Sequence, residues 1–195
     1  MRIRLARLWP TLGKNKDIWA PESKESMNIS YLLIGGNEGD RVFQLSTARN
    51  SITAAGGEIR RESSLYETAA WGKTDQPDFL NQALEVATIQ EAPDWMATLL
   101  DIEKTMGRRR GTRYGARNID IDILFFNNSI IRMPQLIIPH PEIQNRRFVL
   151  APMEEIAPFF IHPVLGRTIR ELLAACTDPL PVKIIGRQAG KNQST

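Results

Sequence analysis

Two aspartates, Asp120 and Asp122, stand two residues apart in an otherwise apolar stretch, residues 118–126. Their neighbours predict a β-strand, on which alternate side chains share a face, so the two carboxylates point the same way and lie roughly 6.5 to 7 Å apart. Carboxylate oxygens at this spacing can share hard cations such as Mg²⁺, with water and phosphate oxygens as further ligands. A merely solvated strand face is the alternative, but acids are poor strand formers. We therefore favour metal-assisted phosphate transfer.

An arginine-rich segment leads directly into that strand. Glu103 is the only acid near its basic side chains, which are Lys104, Arg108, Arg109, Arg110, Arg113 and Arg117. Glycines interrupt the segment and favour a mobile loop over a helix. A solvated charge run and a nucleic-acid surface are the alternatives. Because guanidinium groups bind phosphate oxygens in pairs, an arginine loop beside two metal-binding aspartates favours a polyphosphate ligand.

Phe79 and Asn81 supply an aromatic ring and an amide two residues apart on another predicted strand, so both face one side. Such a pair can stack on and hydrogen-bond a planar heterocycle, although an aromatic residue on a strand more often packs in the core. The sequence Gly72-Lys73-Thr74 lacks the earlier glycine of a phosphate-binding P-loop, because Glu67 stands in its place. A nucleotide site in this chain would therefore be built without a P-loop.

These side chains need a scaffold that brings distant parts of the chain together. The residue pattern predicts strands at 29–34, 58–68, 79–89 and 119–126, with 130–133 as a possible hairpin partner of the last. It predicts helices at 40–55, 93–107, 147–157 (broken at Pro152) and 168–175. The order strand, helix, strand, strand, helix, strand is the split βαβ pattern. We therefore predict an α+β, ferredoxin-like fold in which helices pack on one face of a sheet that contains antiparallel strands.

The composition is that of one globular domain. The chain has 195 residues, of which 42% are hydrophobic and 24% charged, which is enough for a single well-filled core. Its single cysteine, Cys176, excludes an internal disulfide and favours a reducing compartment, so we expect a cytoplasmic protein. No apolar run approaches the roughly 20 residues that cross a bilayer, and we expect no membrane partner.

The net charge of +3 belongs to the N-terminal part of the chain, because residues 1–28 hold six basic and three acidic side chains and the remainder balances. Residues 1–27 show no sustained periodicity and form a predicted extension. Three explanations stay open: upstream sequence before a true initiator at Met27, a flexible tail, or a targeting peptide. The predicted domain covers 28–175, and 176–195 form a C-terminal segment that ends in a polar tail.

Four motifs, in this order, resemble a known family. They are Asp75-Gln-Pro-Asp-Phe-Leu-Asn81; Gly107-Arg108; Tyr114-Gly-Ala-Arg117 followed by Ile119-Asp-Ile-Asp-Ile123; and Pro139-His140 followed by Asn145-Arg146-Arg-Phe148. They resemble the signatures of the 6-hydroxymethyl-7,8-dihydropterin pyrophosphokinases of folate biosynthesis, and the resemblance covers residues 28–173. Gly35-Gly-Asn37 is similar to the Gly-Ser-Asn of that family.

The resemblance implies that ATP donates a pyrophosphoryl group to the hydroxymethyl oxygen of the pterin and leaves as AMP, with two Mg²⁺ ions held by Asp120 and Asp122. It also implies that Arg108 and Arg117 act in catalysis. The residues implied for the pterin are Thr68, Trp71, Phe79, Asn81 and Phe148. Those implied for ATP are Glu103, Arg110, Tyr114, Arg117, His140 and Arg146. The chain departs from residues usual in the family at Ala69-Ala70, Tyr114, Ala116 and Pro141, which affect loop shape and stacking more than metal chemistry.

A ferredoxin-like nucleic-acid-binding module is the second hypothesis, in which the basic loop and exposed aromatic residues would bind the ligand. Asp120 and Asp122 discriminate between the two, because such a module gains nothing from two acids beside its basic loop. We therefore expect a monomer whose partners are ATP and hydroxymethyldihydropterin, and no nucleic acid.

Overall fold

One antiparallel sheet organises the part of the chain that the computed structural model describes, residues 27–70, 75–108 and 115–186. The elements, in chain order, are β1 (Asn28–Gly36), α1 (Arg41–Ala54), β2 (Glu58–Glu62), β3 (Leu65–Thr68), β4 (Phe79–Thr88), α2 (Ala92–Thr105), β5 (Asp120–Phe126), β6 (Ile131–Met133), β7 (Leu136–Ile138), a short 3-10 helix (Ile143–Asn145), α3 (Arg147–Ile156), α4 (Ile169–Ala175) and β8 (Val182–Gly186). None of the helices in these ranges is both long and apolar enough to cross a membrane.

The strand order is β5-β1-β4-β3-β8, and β2 also pairs with β4. Every pair in this sheet is antiparallel, and β4 lies between β1 and the two strands that follow α1, β2 and β3. This is the split βαβ arrangement. The predicted α+β, ferredoxin-like fold is therefore confirmed. β8 is an additional edge strand that the residue pattern did not predict.

The helices cover both faces of the sheet, so the predicted packing on one face was wrong. Leu32 and Ile34 point into a core with α1 and α2, whereas Tyr31 and Leu33 point into a second core with α3 and α4. The reason is visible in β1, whose apolar residues occupy both alternations and therefore need cover on both sides.

Three predicted elements differ from the structure. The predicted strand 58–68 is two strands, because its pairing with β4 is interrupted at Ser63 and Ser64, where the register shifts by one residue. The backbone N–H and hydroxyl of Ser64 donate instead to the Glu155 carboxylate on α3. β6 pairs with β7 and not with β5. Helix α3 runs through Pro152 without a break, since its buried face continues on both sides of the proline.

The two ends of the sheet differ in what they carry. At one end, the C-terminal residues of β1 and β3 meet the first residues of β4 and β5, because neighbouring strands run in opposite directions. Helix α2 ends and α3 begins near the same end, beside the basic segment. Predicted site residues within the described ranges therefore converge there from distant parts of the chain.

Candidate active site

A cavity of about 260 Å³ opens at this end of the sheet. Its lining residues are Leu33, Gly35, Thr68, Ala69, Gln76, Phe79, Asn81, Arg108, Arg117, Asp120, Asp122, His140, Arg146 and Phe148. Every predicted site residue that the structure describes lines this cavity, with the exception of Glu103. Trp71, Arg110 and Tyr114 lie outside the described residues.

Asp120 is held by two arginines in this structure. Arg108 Nη2 lies 2.7 Å from Asp120 Oδ1, and Arg117 Nη1 lies 2.5 Å from Asp120 Oδ2. One guanidinium comes from the end of α2 and the other from the residues just before β5, so the two ends of the basic segment meet at one carboxylate. Both oxygens of Asp120 are thus satisfied by cationic donors.

Glu103 lies behind β5 and not on the cavity wall. Its side chain is buried, accepts the backbone N–H of Ile121 at 2.6 Å and forms an ion pair with Arg108. Ile121 stands between the two aspartates, so Glu103 fixes the backbone that carries them. Burial raises the pKa of the Glu103 carboxyl, and the hydrogen bond from Ile121 and the charge of Arg108 oppose that rise.

Asp122 has a raised pKa, which a bound cation would lower. Burial at the cavity floor, together with the negative charges of Asp120 and Glu103, raises its pKa from 3.8 to about 7. Arg146 and Arg108 act in the opposite direction but do not cancel the rise. A divalent cation at this position would stabilise the ionised form.

The raised pKa of Asp122 predicts a pH-dependent stability of the metal-free protein. Between pH 3.8 and about 7 the folded protein keeps a proton that the unfolded chain has lost, so the free energy of unfolding falls as the pH rises through this range. We expect urea unfolding in a chelator, at about pH 5 and about pH 7.5, to show this fall in the wild type and a smaller one in Asp122→Asn. Equal falls in the two proteins would contradict the assignment, and the surface variant Glu154→Gln serves as the control.

An aromatic and amide slot forms the other side of the cavity. Phe79 from β4 and Phe148 from α3 both line it, and Asn81 Nδ2 donates to Thr68 Oγ1 at 2.9 Å. The Arg117 guanidinium lies 6.0 Å from the centre of the Phe79 ring, and that of Arg146 lies 5.8 Å from the centre of the Phe148 ring. Each ring therefore stands beside an arginine that also lines the cavity.

Asn37 joins the two loops that border the cavity, a role that the residue pattern did not reveal. Its Oδ1 accepts the backbone N–H of Arg117 at 2.9 Å, and its Nδ2 donates to Gln76 Oε1 and to the Pro77 carbonyl. Its own N–H donates to the Arg117 carbonyl at 2.9 Å. The available signal was its position in Gly35-Gly-Asn37, directly after β1.

A second hollow of about 240 Å³ shares Asp122 and His140 with the cavity. The rest of its lining is mostly apolar and comprises Met96, Ile123, Pro134, Gln135, Leu136, Ile137 and Pro141. Burial and the charge of Arg146 lower the pKa of His140, which favours the neutral ring, and its Nδ1 accepts the Glu142 N–H at 3.3 Å. An apolar compartment thus lies directly beside the charged one.

A family model described as 7,8-dihydro-6-hydroxymethylpterin-pyrophosphokinase (HPPK) matches residues 31–158. The chain belongs to this family. Among HPPK relatives, the 2-amino-4-hydroxy-6-hydroxymethyldihydropteridine pyrophosphokinase of Synechocystis sp. is 38% identical over 152 residues, which cover 76% of this chain and 77% of that protein. The mitochondrial folate synthesis bifunctional protein of Pisum sativum is 42% identical over 125 residues, 64% of this chain and 24% of that protein.

Solved HPPK structures share the fold. The crystal structure of wild-type Plasmodium falciparum HPPK-DHPS superposes with a TM-score of 0.63 at 19% sequence identity, covering 77% of this chain and 44% of that one. At this identity the likeness concerns the fold alone. It supports the ferredoxin-like assignment independently of the four sequence motifs.

Proposed function

We propose that the protein transfers the pyrophosphoryl group of ATP to the hydroxymethyl oxygen of 6-hydroxymethyl-7,8-dihydropterin in folate biosynthesis, and that AMP is released. One observation carries the proposal: a single cavity holds paired aspartates, three arginines and an aromatic slot with an amide. The reaction needs these three groups together, because it joins a flat heterocycle to a transferred polyphosphate. Membership of the HPPK family supports the same reaction.

The pterin fits the slot between Phe79 and Phe148. Its ring would stack between the two aromatic side chains, while Asn81 and Thr68 supply hydrogen-bonding groups at the ring edge. Trp71, which lies outside the described residues, remains part of the proposed pterin site. In this position the hydroxymethyl group points toward the aspartates and arginines.

ATP fits the rest of the site. The apolar hollow beside Ile123 and Ile137 would take the adenine ring; His140 lines both the hollow and the cavity, and Arg146 lines the cavity. The phosphates would then lie above the aspartates, within reach of Arg108 and Arg117. The resemblance also predicts Glu103, Arg110 and Tyr114 for the ATP site. Glu103 would act by holding Arg108 and the backbone of β5, whereas Arg110 and Tyr114 lie outside the described residues.

The donor set fits Mg²⁺, and we propose that two ions bind. Asp120 and Asp122 offer carboxylate oxygens on one face of β5, and a cation would offset the burial and the neighbouring negative charges that raise the pKa of Asp122. Among the residues that the structure describes, no group of three or more acids, histidines or cysteines surrounds a metal position. Phosphate oxygens and water would therefore complete the coordination. Bound there, the ions neutralise phosphate charge.

The protein's own residues act by orientation and charge. The slot holds the hydroxymethyl oxygen in line with the β-phosphorus. This oxygen forms the new bond and releases its proton to solvent as the bond from the β-phosphorus to the oxygen bridging to the α-phosphate breaks. Arg108 and Arg117 exchange Asp120 for phosphate oxygens, where they stabilise the charge that develops on the transferred group. AMP takes the bridging oxygen with it.

The direct test is to incubate the full chain with ATP, Mg²⁺ and hydroxymethyldihydropterin and to separate the nucleotides. We expect AMP and the pterin diphosphate in equal amounts, and neither when Mg²⁺ is chelated. Release of ADP would show transfer of a single phosphoryl group and would contradict the proposal. Tight binding of RNA without AMP formation would favour the nucleic-acid-binding hypothesis, which the two aspartates on the cavity floor oppose.

Gly35 provides a test of the pterin slot. A Cβ atom at this position would lie 2.3 Å from Asn81 Oδ1 and 3.3 Å from the Leu80 carbonyl oxygen. We expect Gly35→Ala to displace the Asn81 amide and to weaken pterin binding about tenfold or more, with a much smaller change in ATP binding. Calorimetric titration of each ligand measures both affinities. An equal loss for the two ligands would contradict the placement of the pterin.

We also propose that the protein acts as a monomer in the cytoplasm. The aspartates, arginines and aromatic rings that the proposed reaction uses already line one cavity of this chain. The single cysteine agrees with a reducing compartment. Light scattering at working concentrations and cell fractionation measure the two properties directly.

A further inference from the structure

Residues 176–186 lie beyond the part of the chain that the family model matches, yet they contact both walls of the aromatic slot. We propose that this segment, through Asp178, positions the slot for the pterin. The inference rests on the proposed function, because it concerns the slot in which the pterin would lie. Asp178 itself does not line the cavity, so its role is positioning.

Residues 176–186 first contact the start of α3, the helix that carries Phe148 on one side of the aromatic slot. Asp178 Oδ2 accepts the backbone N–H of Arg147, the first residue of α3, at 3.0 Å. The residue that precedes the helix, Arg146, provides no side-chain cap of its own. Asp178 therefore caps α3 from 31 residues away, and a carboxylate near the first N–H groups also matches the helix dipole.

The side chain of Arg147 completes this contact. Its Nε donates to the Asp178 carbonyl and its Nη2 to the Cys176 carbonyl, each at 3.0 Å. Arg147 stands between Arg146 and Phe148, which both line the cavity. Holding the backbone and side chain of Arg147 therefore fixes the start of the helix from which the cavity-lining side chains project.

The second contact is with the wall that β3 forms. Only four residues after Asp178, Val182 pairs with Thr68, which in turn pairs with Phe79. Thr68 also accepts the hydrogen bond from Asn81. One short segment thus joins the helix that carries Phe148 to the strands that carry Thr68 and Phe79, and it can set the distance between the two aromatic walls.

Asp178 is buried, and protein groups bind both of its carboxylate oxygens. Its side chain is 7% exposed, and its second oxygen, Oδ1, accepts the Leu180 N–H at 3.1 Å. The neighbouring Cys176 packs in the core with α3 and α4. Because both oxygens of Asp178 have backbone donors, its removal leaves the start of α3 free to shift against the sheet.

The test compares two lost helix caps in the full-length protein. Asp178→Ala removes the cap of α3, and Thr168→Ala removes the capping box of α4, which does not touch the cavity. We expect both variants to lose thermal stability, but only Asp178→Ala to raise the Kd and KM for hydroxymethyldihydropterin, by about tenfold, with kcat at saturation within about twofold of wild type. Asp178→Asn keeps an oxygen acceptor and is expected to restore most of the pterin affinity.

Equal pterin affinities in Asp178→Ala and Thr168→Ala, or a failure of Asp178→Asn to restore binding, would overturn the inference. If Asp178→Ala does not fold, Arg147→Met decides, since it keeps the cap and loses both side-chain hydrogen bonds to the segment. We expect a rise in the pterin Kd of about threefold in that variant, and no change would overturn the inference. A wild-type protein that neither binds the pterin nor forms AMP would instead overturn the proposed function.

Discussion

Replacing Asp122 with alanine is expected to reduce AMP formation by about a thousandfold or more while the fold stays intact. Asp122 lines the cavity, where burial and the charges of Asp120 and Glu103 raise its pKa to about 7, so a divalent cation would stabilise its carboxylate. Without it, Asp120 is the one carboxylate of the pair left on that face of β5, and it forms ion pairs with two arginines. The negative charge of the transferred pyrophosphoryl group would then lack the divalent cation that neutralises it.

The comparison variant for this prediction is Asp101→Ala, which removes the same charge from an exposed position on α2. Steady-state assays should show near wild-type AMP formation in Asp101→Ala and almost none in Asp122→Ala. The melting temperature of Asp122→Ala in a chelator is expected to equal or exceed that of the wild type at about pH 7.5, because an unfavourable charge has been removed. AMP formation within about tenfold of wild type would contradict the two-metal site.

Replacing Arg117 with alanine is expected to lower kcat by about 100-fold to 1,000-fold and to change the pterin Kd by less than about threefold. Its guanidinium reaches Asp120 from the residues before β5, and Asn37 fixes its backbone on both the N–H and the carbonyl side. Arg117 therefore stands at the phosphate side of the cavity, where charge develops during transfer. Its distance of 6.0 Å from the centre of the Phe79 ring allows only a small contribution to pterin binding.

Single-turnover kinetics and pterin titration separate these two effects. Arg60→Ala is the matched control, since Arg60 is exposed on β2, away from the cavity. It should leave both quantities unchanged. Equal losses in kcat and in pterin affinity for Arg117→Ala would place Arg117 in ground-state binding and would count against a role in the transition state.

The strand period explains why so much of the site could be predicted from the sequence. Asp120 with Asp122, and Phe79 with Asn81, are pairs two residues apart on strands, so each pair shares a face whatever surrounds it. The split βαβ order then brought the two strands to opposite sides of β1. The local residue pattern and the strand order together were sufficient to predict that these four side chains lie close to one another.

Other features depend on contacts between distant residues and leave no local pattern. The strand pairing is interrupted at Ser64, whose N–H and hydroxyl donate to Glu155, 91 residues later. β8 has no buried residue and is a strand because β3 offers it an open edge. Glu103 resembles any charged residue near a helix end, and only the fold shows that it is buried against Ile121.

The cavity lies at one end of the antiparallel sheet, and the turns at the opposite end carry none of its lining residues. The turns after α1, after β4 and after β5 all lie at the end away from the cavity, and they include Gly56, with a φ of 90°, and Asn127, with a φ of 48°. None of these turns touches a residue that lines the cavity through a hydrogen bond in the described ranges. We therefore expect insertions, labels or fused domains to be tolerated at that end, where sequence changes do not reach the proposed active site.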